Sequence, residues 1–207
     1  KSRIYDFNIK MFLYRFFRFF LIWLCKLFFH LEVRGRGFIP KKGGFVLASN
    51  HASFLDPILV GTACPRVLNF AARESLFRNK FFGWLIAEVG SFPIKRWSAD
   101  LSAVKESVRR LKNNAGLLVF PEGTRSQDGN IRAITHGFCL LAAKARVPII
   151  PVWVSGSRKA WGRGSKFIQP AKIRVIFGKP VEVRNRRDYE TVAREVVGQI
   201  QGLSDSC

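Results

Sequence analysis

Along most of the chain, short apolar runs alternate with stretches of helical period. The runs Phe45–Ser49, Val67–Ala72, Val89–Ile94, Leu117–Phe120, Ile149–Val154 and Ile173–Phe177 have the length and composition of buried strands. Between them, apolar positions recur at three- and four-residue spacing. This predicts helices near Pro57–Ala63, Phe81–Glu88, Ala99–Asn113 and Gly137–Arg146, with a last one from Asp188 to Leu203. Strands alternating with helices predict an α/β fold: a single-domain mixed sheet covered by helices on both faces. Gly43-Gly44, Asp128-Gly129 and the run Gly156–Ser165 read as turns or loops.

The first thirty residues follow another pattern. Seven unbroken apolar residues, Phe19–Cys25, are the longest run there, far short of the ~20 needed to span a bilayer. At about 100° per residue, Arg15, Arg18 and Lys26 share one sector, and Leu13, Phe16, Phe20, Leu24, Leu27 and Leu31 gather opposite. The pattern predicts an amphipathic helix over residues 9–30 that lies in a membrane interface, its cations on anionic headgroups. A tilted spanning helix and an ordinary core helix are the competing readings; a cleaved leader would need a clean apolar block and a small-residue cleavage site. Residues 1–30 are thus expected to form a membrane-anchoring helix and 31–207 the folded domain.

Charge sharpens this picture. Thirty-five Lys and Arg against fourteen Asp and Glu give a formal net charge of +21, which predicts an anionic partner: a membrane face, an acidic substrate or carrier, or nucleic acid. No helix-turn-helix, zinc finger or aromatic RNP motif supports the last. The four cysteines, Cys25, Cys64, Cys139 and Cys207, have no paired spacing, so neither a zinc site nor a disulfide framework is expected, and a reducing compartment is.

Candidate chemistry lies where strands end. In open α/β sheets, ligands sit beyond the carboxyl ends of strands. Asn50-His51 follows the first run, Lys95-Arg96 the third, and Glu122–Ser126 the fourth. Asp56-Pro57 has a structural reading of its own, with Asp capping a helix and Pro in its first turn. That reading leaves the histidine unexplained. A loop from His51 to a helix starting at Asp56 can fold back so that the carboxylate meets one ring nitrogen and leaves the other as proton acceptor. In "FPEGTRS", Phe120–Ser126, Arg125 is suited to bidentate phosphate binding, and "GSFPIKR", Gly90–Arg96, adds two cations.

Taken together, His51 to Asp56 (an HX4D motif), Gly90 to Arg96, Phe120 to Ser126 and "VPIIPV", Val147–Val152, stand in the order of the four blocks of the glycerolipid acyltransferases. The chain resembles the 1-acylglycerol-3-phosphate acyltransferase family in its short bacterial form, from about Val33 to Val183. Gly35, Pro40, Gly43 and "GSKFIQPAKIRVIFGKPVEV" belong to the resemblance.

The resemblance implies that His51 is a general base with Asp56 as its partner. It assigns Lys95, Arg96, Glu122, Gly123, Thr124 and Arg125 to the acceptor and its phosphate, and Asn50, Pro121 and Pro148 to the acyl pocket and its support. Many members carry a lysine where Thr135 stands, which leaves the acceptor headgroup open. The implied reaction moves a fatty acyl group from a thioester of acyl-carrier protein or coenzyme A to the free hydroxyl of lysophosphatidic acid, giving phosphatidic acid. Glycerol 3-phosphate or another lysolipid is the alternative acceptor. No cofactor and no covalent acyl-enzyme are implied. The latter agrees with the absence of a G-x-S-x-G elbow. The expected location is the cytoplasmic face of the cytoplasmic membrane, reached through Arg15, Phe16, Arg18, Phe20 and Lys26. A basic nucleic-acid binder is the rival of another class.

Overall fold

The computed structural model describes residues 19–88, 90–94, 101–126, 128, 129, 131, 134–183 and 188–206. Helix α1 covers 19–29. It is followed by β1 (Glu32–Arg34), β2 (Phe45–Ser49), α2 (Asp56–Ala63), β3 (Leu68–Arg73), α3 (Lys80–Glu88), β4 (Ser91–Ile94) and α4 (Leu101–Lys112). The chain continues through β5 (Gly116–Val119), α5 (Gly137–Ala145), β6 (Ile149–Ser155), α6 (Ser157–Trp161), β7 (Arg174–Phe177) and α7 (Tyr189–Gly202).

The strands make one seven-stranded sheet in the order β1-β7-β6-β2-β5-β3-β4. Every neighbouring pair is parallel except β6 and β7, so β1 and β7 run against the other five. The sheet is therefore mixed, as expected. Five strands deliver their carboxyl ends to one edge.

Unbroken apolar strands have a simple cause here. In β2, Phe45 and Leu47 enter one core layer with Cys25 and Phe29 of α1 and Leu59, Val60 and Ala63 of α2. Val46 and Ala48 enter the other, against Leu111 of α4, Cys139 and Ala142 of α5, and Val196 and Ile200 of α7. A strand buried on both faces cannot alternate polar and apolar residues, because successive side chains point to opposite sides.

Two elements differ from expectation. Strand β1 is Glu-Val-Arg, with no apolar run to announce it. It is held by the Glu32 amide donating to Ile173 O (3.0 Å) and by an Arg174–Glu32 ion pair (2.9 Å). Gly35, with φ +73°, then turns the chain against the Phe177 carbonyl, where a Cβ would collide. The run Gly156–Ser165, read as loop, contains α6, started by Gly156 in the left-handed region and too short for a periodic signal.

In α1, Cys25 and Phe29 pack into the core while Phe20 and Leu27 of the expected apolar face, and Lys26, are exposed. The other residues expected to bind the membrane, Arg15, Phe16 and Arg18, lie outside the described residues. Among the described residues, no helix is long and apolar enough to cross a membrane.

Candidate active site

The site begins where β2 stops. Asn50, 2% exposed, turns its amide across to β6: its Nδ2 donates to Val154 O (3.0 Å), and the Val154 amide donates to its Oδ1 (2.8 Å). A side chain thus continues the strand ladder for one step and fixes the point at which the chain leaves the sheet. Asn50 is a scaffold for the next residue rather than a wall of a pocket.

His51 is that residue. Its Nδ1 donates to Asp56 Oδ2 at 2.9 Å. With the Nδ1 proton so placed, Nε2 of the neutral ring is the free acceptor. Phe120 stacks on the imidazole, centroids 3.9 Å apart and planes 17° off parallel. The ring is held at its edge by a carboxylate and on its face by an aromatic.

Asp56 does not cap α2. Leu55 takes the N-cap position without a side-chain cap bond, and the fully buried Asp56 carboxylate reaches backward along the chain. Its Oδ2 accepts from the Ala52 and Ser53 amides, both at 2.7 Å, as well as from His51. The capping explanation is thereby replaced. The aspartate organises the loop that carries the histidine, and the positive end of α2 favours its charge.

The turn after β5 clamps the same loop from the other side. Glu122, 9% exposed, accepts the His51 amide on Oε1 (2.9 Å), and the Ser126 amide donates to His51 O (2.7 Å). Burial pushes the Glu122 carboxyl up to about 7; the His51 amide works against this, and the Asp56 and Asp128 carboxylates add to it. Gly123 (φ +64°) and Thr124 are exposed at the turn's tip.

Arg125 lies flat on Phe54, its guanidinium carbon 3.4 Å from the ring centroid, and Phe54 leans on Trp161 at 5.0 Å. Pro121 is buried, and its carbonyl accepts from both the Thr135 amide (2.9 Å) and hydroxyl (3.0 Å). Thr135 therefore braces the turn, a task for which a hydroxyl suffices.

The structure brings together Asn50, His51, Asp56, Pro121, Glu122, Gly123, Thr124 and Arg125. Pro148 is not among them. It precedes β6, where its carbonyl accepts the Val46 amide (3.0 Å), and Ile149 pairs with Val46. That is the amino-terminal end of the β2–β6 pair, the end away from His51, where Pro148 takes part in the strand ladder. Lys95 and Arg96 lie outside the described residues. Strand β4, which leads to them, is parallel to β3 and ends at the same sheet edge.

Sequence reasoning missed the α6 contribution. Ser53 Oγ and the Phe54 amide donate to Trp161 O (2.7 and 3.4 Å), and Ser53 bridges to Gly162. A lone tryptophan in a glycine-rich stretch carries no signal of this. Phe120, by contrast, stood inside a recognised motif and only lacked a role. No group of three or more His, Cys, Asp or Glu among the described residues is placed to hold a metal ion.

A histidine with one nitrogen fixed by a buried carboxylate and the other free, beside an arginine, is equipped to take a proton from a hydroxyl on an anionic molecule. The acyltransferase family profile matches residues 30–155, the stretch from the end of α1 through β6 that holds these groups. The chain belongs to that family.

Within it, the similarity points to one kind of member. The 1-acyl-sn-glycerol-3-phosphate acyltransferase of Streptococcus pneumoniae is 30% identical over 168 residues, 78% of this chain and 61% of that protein. The chloroplastic 1-acyl-sn-glycerol-3-phosphate acyltransferase BAT2 of Brassica napus is 30% identical over 158 residues, 74% of this chain and 46% of that one. The chain thus spans roughly half to three fifths of the length of these two relatives. The crystal structure of the 1-acyl-sn-glycerophosphate acyltransferase PlsC from Thermotoga maritima superposes with a TM-score of 0.79 at 25% identity, over 96% of this chain and 83% of that one.

Proposed function

We propose that this protein transfers a fatty acyl group from an acyl thioester to the free hydroxyl of lysophosphatidic acid, giving phosphatidic acid. One observation carries the reading: the His51–Asp56 pair stands at the sheet edge with Nε2 open. The acceptor hydroxyl gives its proton to His51 Nε2 as its oxygen attacks the thioester carbonyl. The tetrahedral intermediate collapses, the carbon–sulfur bond breaks, and the imidazolium returns the proton to the departing thiolate. Oxygen gains the acyl group and sulfur the hydrogen, so nothing else is consumed.

Asp56 offsets the charge that develops on the imidazole and keeps the ring in its productive tautomer. No residue forms a covalent intermediate, since thioesters are reactive enough for positioning and one base to suffice. The acceptor phosphate falls to Arg125 and to Arg96, and the donor is acyl-carrier protein or coenzyme A. The exposed Phe20, Trp23 and Leu27 of α1 support a monotopic membrane location; the cytoplasmic face of the cytoplasmic membrane is the side proposed.

The test is phosphatidic acid formation by the purified protein from lysophosphatidic acid and each donor, with glycerol 3-phosphate and other lysolipids as competing acceptors. His51→Ala is expected to lower turnover at least ~100-fold with its melting temperature within a few degrees of wild type. A variant that keeps near-normal turnover removes the general-base assignment. Faster acylation of glycerol 3-phosphate would move the reading to that acceptor.

A further inference from the structure

The chain from Arg163 to Pro170 is exposed at every residue, yet it is ordered by bonds at both ends. The Ser165 amide donates to Gly162 O (3.2 Å), the Gln169 amide to Ala160 O (2.9 Å), and Trp161 Nε1 to Ser165 O (3.3 Å). Its tip is apolar: Phe167 is 77% exposed and Ile168 51%. A water-soluble surface has no use for two adjacent large apolar side chains held out on a pinned loop.

Charge names the partner. Arg163 and Lys166 lie within the loop and Lys159 and Lys172 flank it, all four exposed. No Asp or Glu occurs from Gly129 to Val181. Apolar side chains at a tip, flanked in sequence by exposed cations and by no acid, match the boundary between acyl chains and anionic headgroups.

Position supports the same partner. The loop returns to Ile173, whose amide donates to Phe29 O at the end of α1 (2.9 Å), the helix that exposes Phe20, Trp23 and Leu27. At its other end Gly162 bridges to Ser53 in the His51 loop.

We propose that residues 163–170 form a second membrane anchor, which inserts Phe167 and Ile168 into an anionic lipid surface while Lys159, Arg163, Lys166 and Lys172 meet the headgroups. Because α6 ties this loop to Ser53 and Phe54, it sets the depth and tilt of the His51 edge above the bilayer, where α1 alone would leave a swivel. The inference does not depend on the acyl-transfer reading, since its test involves no turnover.

The experiment uses the full chain and vesicles of phosphatidylglycerol or phosphatidylcholine. A Phe167→Cys variant in a Cys207→Ser background is labelled with an environment-sensitive fluorophore. Blue-shifted emission with phosphatidylglycerol vesicles, and quenching by lipids that carry the quencher in the acyl region, is expected. Phe167→Ser with Ile168→Ser should weaken co-sedimentation with those vesicles about a hundredfold, at an unchanged melting temperature. An unshifted probe on vesicle-bound protein overturns the proposal. So does an unchanged affinity of the double variant, or a loop that shifts with acidic carrier protein alone and not with vesicles.

Discussion

His51 and Asp56 share one hydrogen bond but have different dependants. Beyond that bond the histidine side chain only stacks on Phe120, whereas Asp56 Oδ2 also takes two buried amides, Ala52 and Ser53. Removing the carboxylate leaves two buried donors without an acceptor, at about 1–3 kcal/mol each. Asp56→Ala is therefore expected to lose activity and at least ~2 kcal/mol of stability in urea unfolding, while His51→Ala loses activity alone. Equal stability of the two variants would contradict the loop-organising role.

Phe54 gives a gentler test. Its ring lies under Arg125, so Phe54→Leu should raise the acceptor KM several-fold, consistent with ~0.5–2 kcal/mol for a cation–π contact. Phe54→Tyr should restore it, and kcat should move little.

Glu122 makes the prediction in pH. Its folded-state value, about 7, lies above the ordinary 4.5, so between those limits the folded chain binds more protons than the unfolded one. Stability then falls as pH rises from about 4.5 to about 7, and the cost is fully present above that. Glu122→Gln should flatten this slope in melting curves taken across pH 4–8. A slope that survives the substitution must come from another group.

At the scale of elements, α1 has two faces that respond to different measurements. Phe29 is buried against the sheet, and Phe29→Ala should cost about 3–5 kcal/mol of stability. Trp23 is 56% exposed, and Trp23→Ser should leave the melting temperature nearly unchanged while weakening vesicle co-sedimentation. An unchanged affinity would show that this face does not reach lipid.

Legibility followed the same physics. The central strands were readable because burial on both faces demands continuous apolar runs, and β2 stands at the expected residues. The His51–Asp56 pair was readable because a loop and a helix start fix their reach. What stayed hidden was carried by single residues in long-range pairs: Asn50 on Val154, Trp161 under Ser53, and the edge strand β1, whose partner is far along the chain. Pro148 shows the converse, since a motif position says nothing about which end of a strand it occupies. For α1, nearly every residue from Phe19 to Phe29 except Lys26 is apolar, so the sequence could not say which side the protein would claim.

For the whole molecule, the consequence of β1 pairing with β7 is temporal. Glu32 and Arg174 are separated by 142 positions, and Ile173 also holds the end of α1. During synthesis α1 and β1 leave the ribosome well before their neighbour in the sheet, which follows 142 positions later. Until then the end of α1 lacks its bond from the Ile173 amide, and its exposed Phe20, Trp23 and Leu27 are free to meet a bilayer. Pairing of β1 with β7 comes only after this long loop has closed. Stalled chains ending before residue 170 should accordingly sediment with membranes at least as well as the finished protein, while the β2–β5 region gains protection from proteolysis only once β6 has emerged to flank it.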